Sequence, residues 1–230
     1  MSSSADLSKC YSFVSCQINP PPPHEHPAAH HKPRPAVTIS RQTGAGAMEV
    51  AQKLADLLQA RQPVPCRWTV FDKNLVVKML EEHNLPEQLA RFIPEDRISY
   101  IRDMVEEVLG LHPPSETLIR QISETIVHLA EIGHVILVGR AANVATRHMR
   151  NVFHVRLIAP LDKRVAQVMA RGSMSHEAAL EFVKKEDAAR KHYLKTYFKV
   201  DTDDQLLYDM ILNTDRLTSD EAAEAIGERF

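Results

Sequence analysis

Ala36-Val37-Thr38-Ile39-Ser40-Arg41-Gln42-Thr43-Gly44-Ala45-Gly46-Ala47-Met48-Glu49-Val50 decides the fold. AVTIS (36–40) is a short apolar strand. Two glycines then mark a turn. From Met48 to about Ala60 the apolar residues Val50, Leu54, Leu57 and Leu58 recur at helical spacing. A strand, a glycine turn and a helix together make a recipe for holding phosphate. Backbone N–H groups point into the turn, and the helix N-terminus carries partial positive charge. Gly44 and Gly46 permit backbone angles that other residues resist.

Outward from this unit, strand and helix patterns alternate. RWTVF (67–71), HVILVG (134–139), VFHVRLIA (152–159) and DMILNT (209–214) read as four further strands. The third is apolar throughout, as befits a strand buried on both faces. Residues 73–133 are helical in pattern, and 86–133 reads as a helical insertion. A long charged helical region follows at about 161–198, and 218–229 closes the chain as a helix. Alternation of this kind predicts an α/β fold whose parallel sheet carries helices on both faces.

The first 35 residues differ in character. They hold seven of the 14 Pro and four of the 12 His but none of the Gly. Gln17 to Pro35 has too few large apolar groups to offset the entropy of ordering, so 1–35 is expected to be a disordered Pro/His-rich tail and 36–230 the domain. His24, His26, His30 and His31 are of a type that binds transition metals, although a low-complexity tail accounts for them. Cys10, Cys16 and Cys66 are too few for a disulfide framework, and Cys10 and Cys16 are expected to have no specific role.

With 28 Lys+Arg against 30 Asp+Glu, the chain lacks the overall field that holds nucleic acid or an acidic membrane. No apolar run approaches the roughly 20 residues of a membrane span, and no signal-peptide pattern opens the chain. The expected location is cytoplasmic.

AVTISRQTGAGAMEVAQKLA resembles the first strand, P-loop and helix of the cytidylate kinase-like family, a branch of the P-loop nucleoside monophosphate kinases. FDKNLVVKML (71–80), GHVILVGRAAN (133–143), APLDKRVAQVMAR (159–171), KKEDAARKHYLKTYF (184–198) and YDMILNTDRL (208–217) continue the resemblance in order. It implies a three-layer P-loop kinase fold, with a central parallel five-stranded sheet, a helical insertion and a helical lid. It also implies transfer of the ATP γ-phosphoryl group to CMP, dCMP or a similar small nucleotide-like acceptor. Mg²⁺ would arrive with ATP, without a direct protein ligand.

The resemblance places the ATP phosphates on Ser40, Arg41, Gln42, Thr43, Gly44, Ala45, Gly46, Ala47 and Met48. It places the acceptor on Asp72, Arg140, Asp187 and Arg190. Asp72 alternatively caps the helix after the second strand or holds Mg²⁺ through water. Arg41, Arg164 and Arg171 would neutralise the transferring group. The Lys and Ser/Thr of a standard P-loop are here Ala47 and Met48; the family branch resembled often lacks the Lys and carries Ser-Arg before the turn, as Ser40-Arg41 do, and the Asp that related enzymes carry before Gly-Arg is Val138. These departures favour the alternative, a nucleotide-binding or sensing module that keeps the fold without efficient transfer. A kinase acting on some other small acceptor is a third reading.

Overall fold

The computed structural model describes residues 34–72 and 116–230, together with Ser8, Ser12, Phe13, Ser15 and Cys16. Five strands form one sheet: β1 (Ala36–Arg41), β2 (Thr69–Asp72), β3 (Val135–Val138), β4 (Val152–Ile158) and β5 (Met210–Asn213). Their order is β2-β3-β1-β4-β5, and every pairing is parallel. Thr38 of the central strand β1 lies between Leu137 and His154. The threonine hydroxyl meets His154 Nδ1 at 2.8 Å, so two buried polar groups satisfy each other.

The pleat of β3 sends alternate side chains to opposite faces. Ile136 and Val138 pack with α1 (Ala47–Arg61) and the closing helix α6 (Ser219–Gly227) on one side. Val135 and Leu137 pack with α2 (Glu116–Ile132) and α3 (Ala142–Ala145) on the other side. The result is three layers: helices, a five-stranded parallel sheet, and helices.

The charged stretch after β4 divides into α4 (Leu161–Gly172) and α5 (His176–Tyr193), joined through Ser173 at φ 49°. Ser175 caps α5 by accepting from Ala178 N. Val165 of α4 packs against Ala179 and Val183 of α5, which makes a helical hairpin of this segment. One wider π-type turn, Leu194–Phe198, ends α5.

The expected tail requires a correction at its start. Phe13 is buried against Phe71, with ring centroids 5.7 Å apart, and Cys16 forms a disulfide with Cys66. Cys16 therefore has a specific partner, and Phe13 and Cys16 are packed on the domain. These apolar groups precede the proline-rich run and find the hydrophobic edge of β2. His24, His26, His30, His31 and the 73–115 part of the expected insertion lie outside the described residues. The remainder of 86–133 carries α2.

Candidate active site

Parallel strands place all their carboxyl ends on one edge, and Arg41, Thr43, Arg140, Arg164, Asp187 and Arg190 gather there. The turn after β1 is pinned on several sides. Gln42 N donates to Leu157 O, Ala159 N donates to the Gln42 side chain, and the Thr214 hydroxyl donates to Ala45 O. Gly44 has φ +84°, and a Cβ there would collide with the backbone of Arg164. Gly46, at φ +76°, stands at the N-terminus of α1 with open space where a side chain would be. Ala47 and Met48 follow as the first residues of α1, whose N–H groups have no preceding helical carbonyl.

Thr43 is the junction between turn and lid. Asp187 Oδ1 accepts from Thr43 N at 2.8 Å and from its hydroxyl at 2.7 Å. Arg164 donates to Asp187 Oδ2 at 2.6 Å and to Thr43 O at 3.2 Å. Arg190 donates to Asp187 Oδ1 at 2.8 Å and to the Thr43 hydroxyl at 3.1 Å. Burial works against the charge of Asp187. The bonds from Thr43 and the charges of Arg164 and Arg190 outweigh it and hold the carboxyl below its ordinary range.

Arg41 does not fold over the glycines. Its guanidinium lies against Gly139, the residue after β3, where a Cβ would collide with it. Burial lowers its pKa to about 10, aided by Arg190 and Arg140 and opposed by Asp72 and Glu186. Arg41, Arg140 and Arg190 thus gather positive charge around one cavity of about 280 Å³, lined also by Ser40, Asn143 and Tyr193. Beyond the glycine turn lies a second cavity of about 370 Å³, bounded by Gly44, Gly46, Lys53, Lys163 and the 214–220 segment. Thr43 lies in the chain between Arg41, which lines the first, and Gly44, which lines the second.

Other expected residues take different places. Arg171 is half-exposed and pairs with Glu49 at 3.1 Å, apart from the Arg164 cluster. Met48 is 41% exposed and borders a third space, of about 630 Å³, beneath the N-terminal segment. Asp72 ends β2 and acts electrostatically on Arg41, while the helix it was expected to cap lies outside the described residues.

Lys53, Lys163, Asn143 and Tyr193 also line the first two cavities and were not among the expected site residues. Arg156 was also missed, although a lone charge in the apolar run VFHVRLIA was a signal. It is buried in β4 and donates to Tyr208 OH (3.0 Å) and Asp203 (2.9 Å), tying the segment before β5 to the site edge. Among the described residues no three His, Cys, Asp or Glu side chains gather as a metal cluster, and no helix is long and apolar enough to cross a membrane.

A cytidylate kinase of Methanocaldococcus jannaschii is 25% identical over 146 residues, 61% of this chain and 81% of that protein. A uronate isomerase of Corynebacterium glutamicum is 28% identical over 111 residues, 48% of this chain, which spans only 21% of that protein. The crystal structure of an uncharacterized protein from Eubacterium ventriosum shares the fold with a TM-score of 0.56 and 23% identity, over 85% of this chain and 97% of that one. The profile of the cytidylate kinase-like family matches residues 36–216, and the chain belongs to that family.

Proposed function

We propose that the protein is a phosphotransferase that moves the γ-phosphoryl group of ATP to CMP, dCMP or a similar small anionic acceptor. The supporting observation is the placement of a glycine turn between two cavities, one at the start of α1 and the other lined by Arg41, Arg140 and Arg190. In this reading ATP enters on the Gly44–Gly46 side and the acceptor phosphate meets the three arginines. Phosphoryl transfer needs positioning and charge neutralisation more than covalent chemistry. Arg41 holds charge beside the acceptor, and Arg164 fixes the turn to the lid through Thr43 and Asp187.

Mg²⁺ bound to ATP phosphates keeps several waters and needs few protein ligands. The carboxylate of Asp72 suits contact with such waters; the position after Ala47 offers no hydroxyl. Bound Mg²⁺ would supply neutralisation of the phosphate oxygens. The decisive experiment is ADP release from Mg-ATP across CMP, dCMP and other small phosphorylated acceptors. Acceptor-dependent release is the expected result.

A second reading rests on the contact at Thr43. The Asp187 carboxylate occupies a turn N–H, and Ala47 and Met48 bring neither charge nor hydroxyl. A module that binds nucleotide without transferring phosphate would show ATP binding and no acceptor-dependent ADP release.

A further inference from the structure

Among the described residues, four buried side-chain polar atoms have no hydrogen-bond partner: His128 Nδ1, Arg140 Nε, Asn143 Nδ2 and Tyr193 OH. Three of these four belong to residues lining the 280 Å³ cavity. Buried polar groups are nearly always paired, and a cluster of exceptions in one cavity marks where a ligand completes the bonding. Asn143 is only 5% exposed, so water at the surface does not satisfy it.

The surrounding structure holds these groups in place. Gly139, Arg140 and Ala141 have φ of 85°, 53° and 56°, three consecutive residues in the left-handed region. Two of them carry a Cβ, and such strain persists where the surroundings enforce it. The bend turns the chain sharply from β3 into α3 and sets Asn143 beside the arginines. Tyr193 packs its ring on Tyr197 and Phe198, at centroid distances of 5.3 and 5.7 Å. Burial raises its pKa, while Arg140 lies near enough to the hydroxyl to pull it down, without a well-formed hydrogen bond between them.

The cavity therefore has two chemistries. Arg41, Arg140 and Arg190 suit an anion; Asn143 and Tyr193 are neutral and suit a hydroxyl or carbonyl oxygen. Inorganic phosphate would use only the first. We infer that Asn143 and Tyr193 form a neutral subsite beside the arginine cluster that reads a hydroxyl or carbonyl oxygen of a phosphorylated sugar-like acceptor and so sets acceptor choice. This rests on the reading that the arginines receive the acceptor phosphate.

The test is calorimetric binding of inorganic phosphate and ribose 5-phosphate to the full chain and to its Asn143→Leu and Tyr193→Phe variants. The parent should bind ribose 5-phosphate about tenfold or more tightly than phosphate. Each variant should lose most of that advantage while its phosphate affinity stays within about twofold. Tyr193→Phe removes a hydroxyl that makes no well-formed hydrogen bond within the protein, so its melting temperature should not fall; it carries the test if Asn143→Leu does not fold. Persistence of the advantage in the variants, or equal binding of both probes by the parent, overturns the subsite. Parent protein that binds neither probe overturns the arginine reading as well. Variant-sensitive ribose 5-phosphate binding, without turnover of any acceptor, supports the subsite and removes phosphoryl transfer.

Discussion

Arg41 carries a charge that its surroundings resist: it is desolvated, and Arg140 and Arg190 repel it. A fold retains such a charge for what it binds. Arg41→Ala is therefore expected to lower kcat about tenfold to a hundredfold, the worth of a desolvated charge-assisted contact, without lowering the melting temperature. Unchanged kcat with saturating Mg-ATP and acceptor would remove it from the mechanism. Asp187 works in the opposite sense. Its lowered pKa means that its stabilising contribution is complete above the ordinary carboxylate value, about 3.9, and is lost as pH falls through the lower folded value. Asp187→Asn should cost about 1–3 kcal/mol near pH 7, and the difference in melting temperature from the parent should shrink on acidification below about pH 4. A gap independent of pH would show that charge is not what Asp187 contributes. The residue types of this site were legible in the sequence, but their pairing was not. Thr43 and Asp187 are 144 positions apart, and nothing local announces that a carboxylate on α5 reaches the turn after β1.

At the scale of elements, the two turn glycines should differ. Both have positive φ, so alanine strains the backbone by roughly 1–2 kcal/mol at either position. At Gly44 the added carbon also meets the Arg164 backbone, which cannot swing aside as a side chain end does. Denaturant titration should find Gly44→Ala the more destabilised of the two; equal losses would refute the close approach. Helix α6 opens with a reciprocal cap in which Thr218 and Glu221 each satisfy the other's backbone N–H. Thr218→Ala should cost about 1 kcal/mol by the same measurement. The five strands were legible because their apolar runs are short and bounded; β3 is buried throughout, whereas β5 is only partly covered. The break between α4 and α5 was not legible: Gly172-Ser173-Met174-Ser175 contains no proline, and charge continues on both sides.

The whole molecule includes more of the N-terminal region than composition suggested. The proline and histidine content of Gln17–Pro35 dominates the first 35 residues and masks Phe13 and Cys16 before it. With Phe13 buried and Cys16 bridged to Cys66 across 50 positions, removal of residues 1–33 should lower the melting temperature clearly. Cys16→Ser should cost up to about 4 kcal/mol under oxidising conditions, the chain-entropy value for such a loop, and nothing further on addition of reductant. Equal stability of the full and shortened chains would show that the segment adds nothing to the fold.

The sheet order has a consequence for how the chain acquires its structure. β1 is the central strand and the first to be made, yet Ala36 pairs with Val135 and Val152. Neither neighbour exists until synthesis has run about a hundred residues further, so the central strand of the sheet waits unpaired. Co-translational folding of this core must start late, after β4 has emerged, and until then AVTIS is a segment exposed to mispairing and to chaperones.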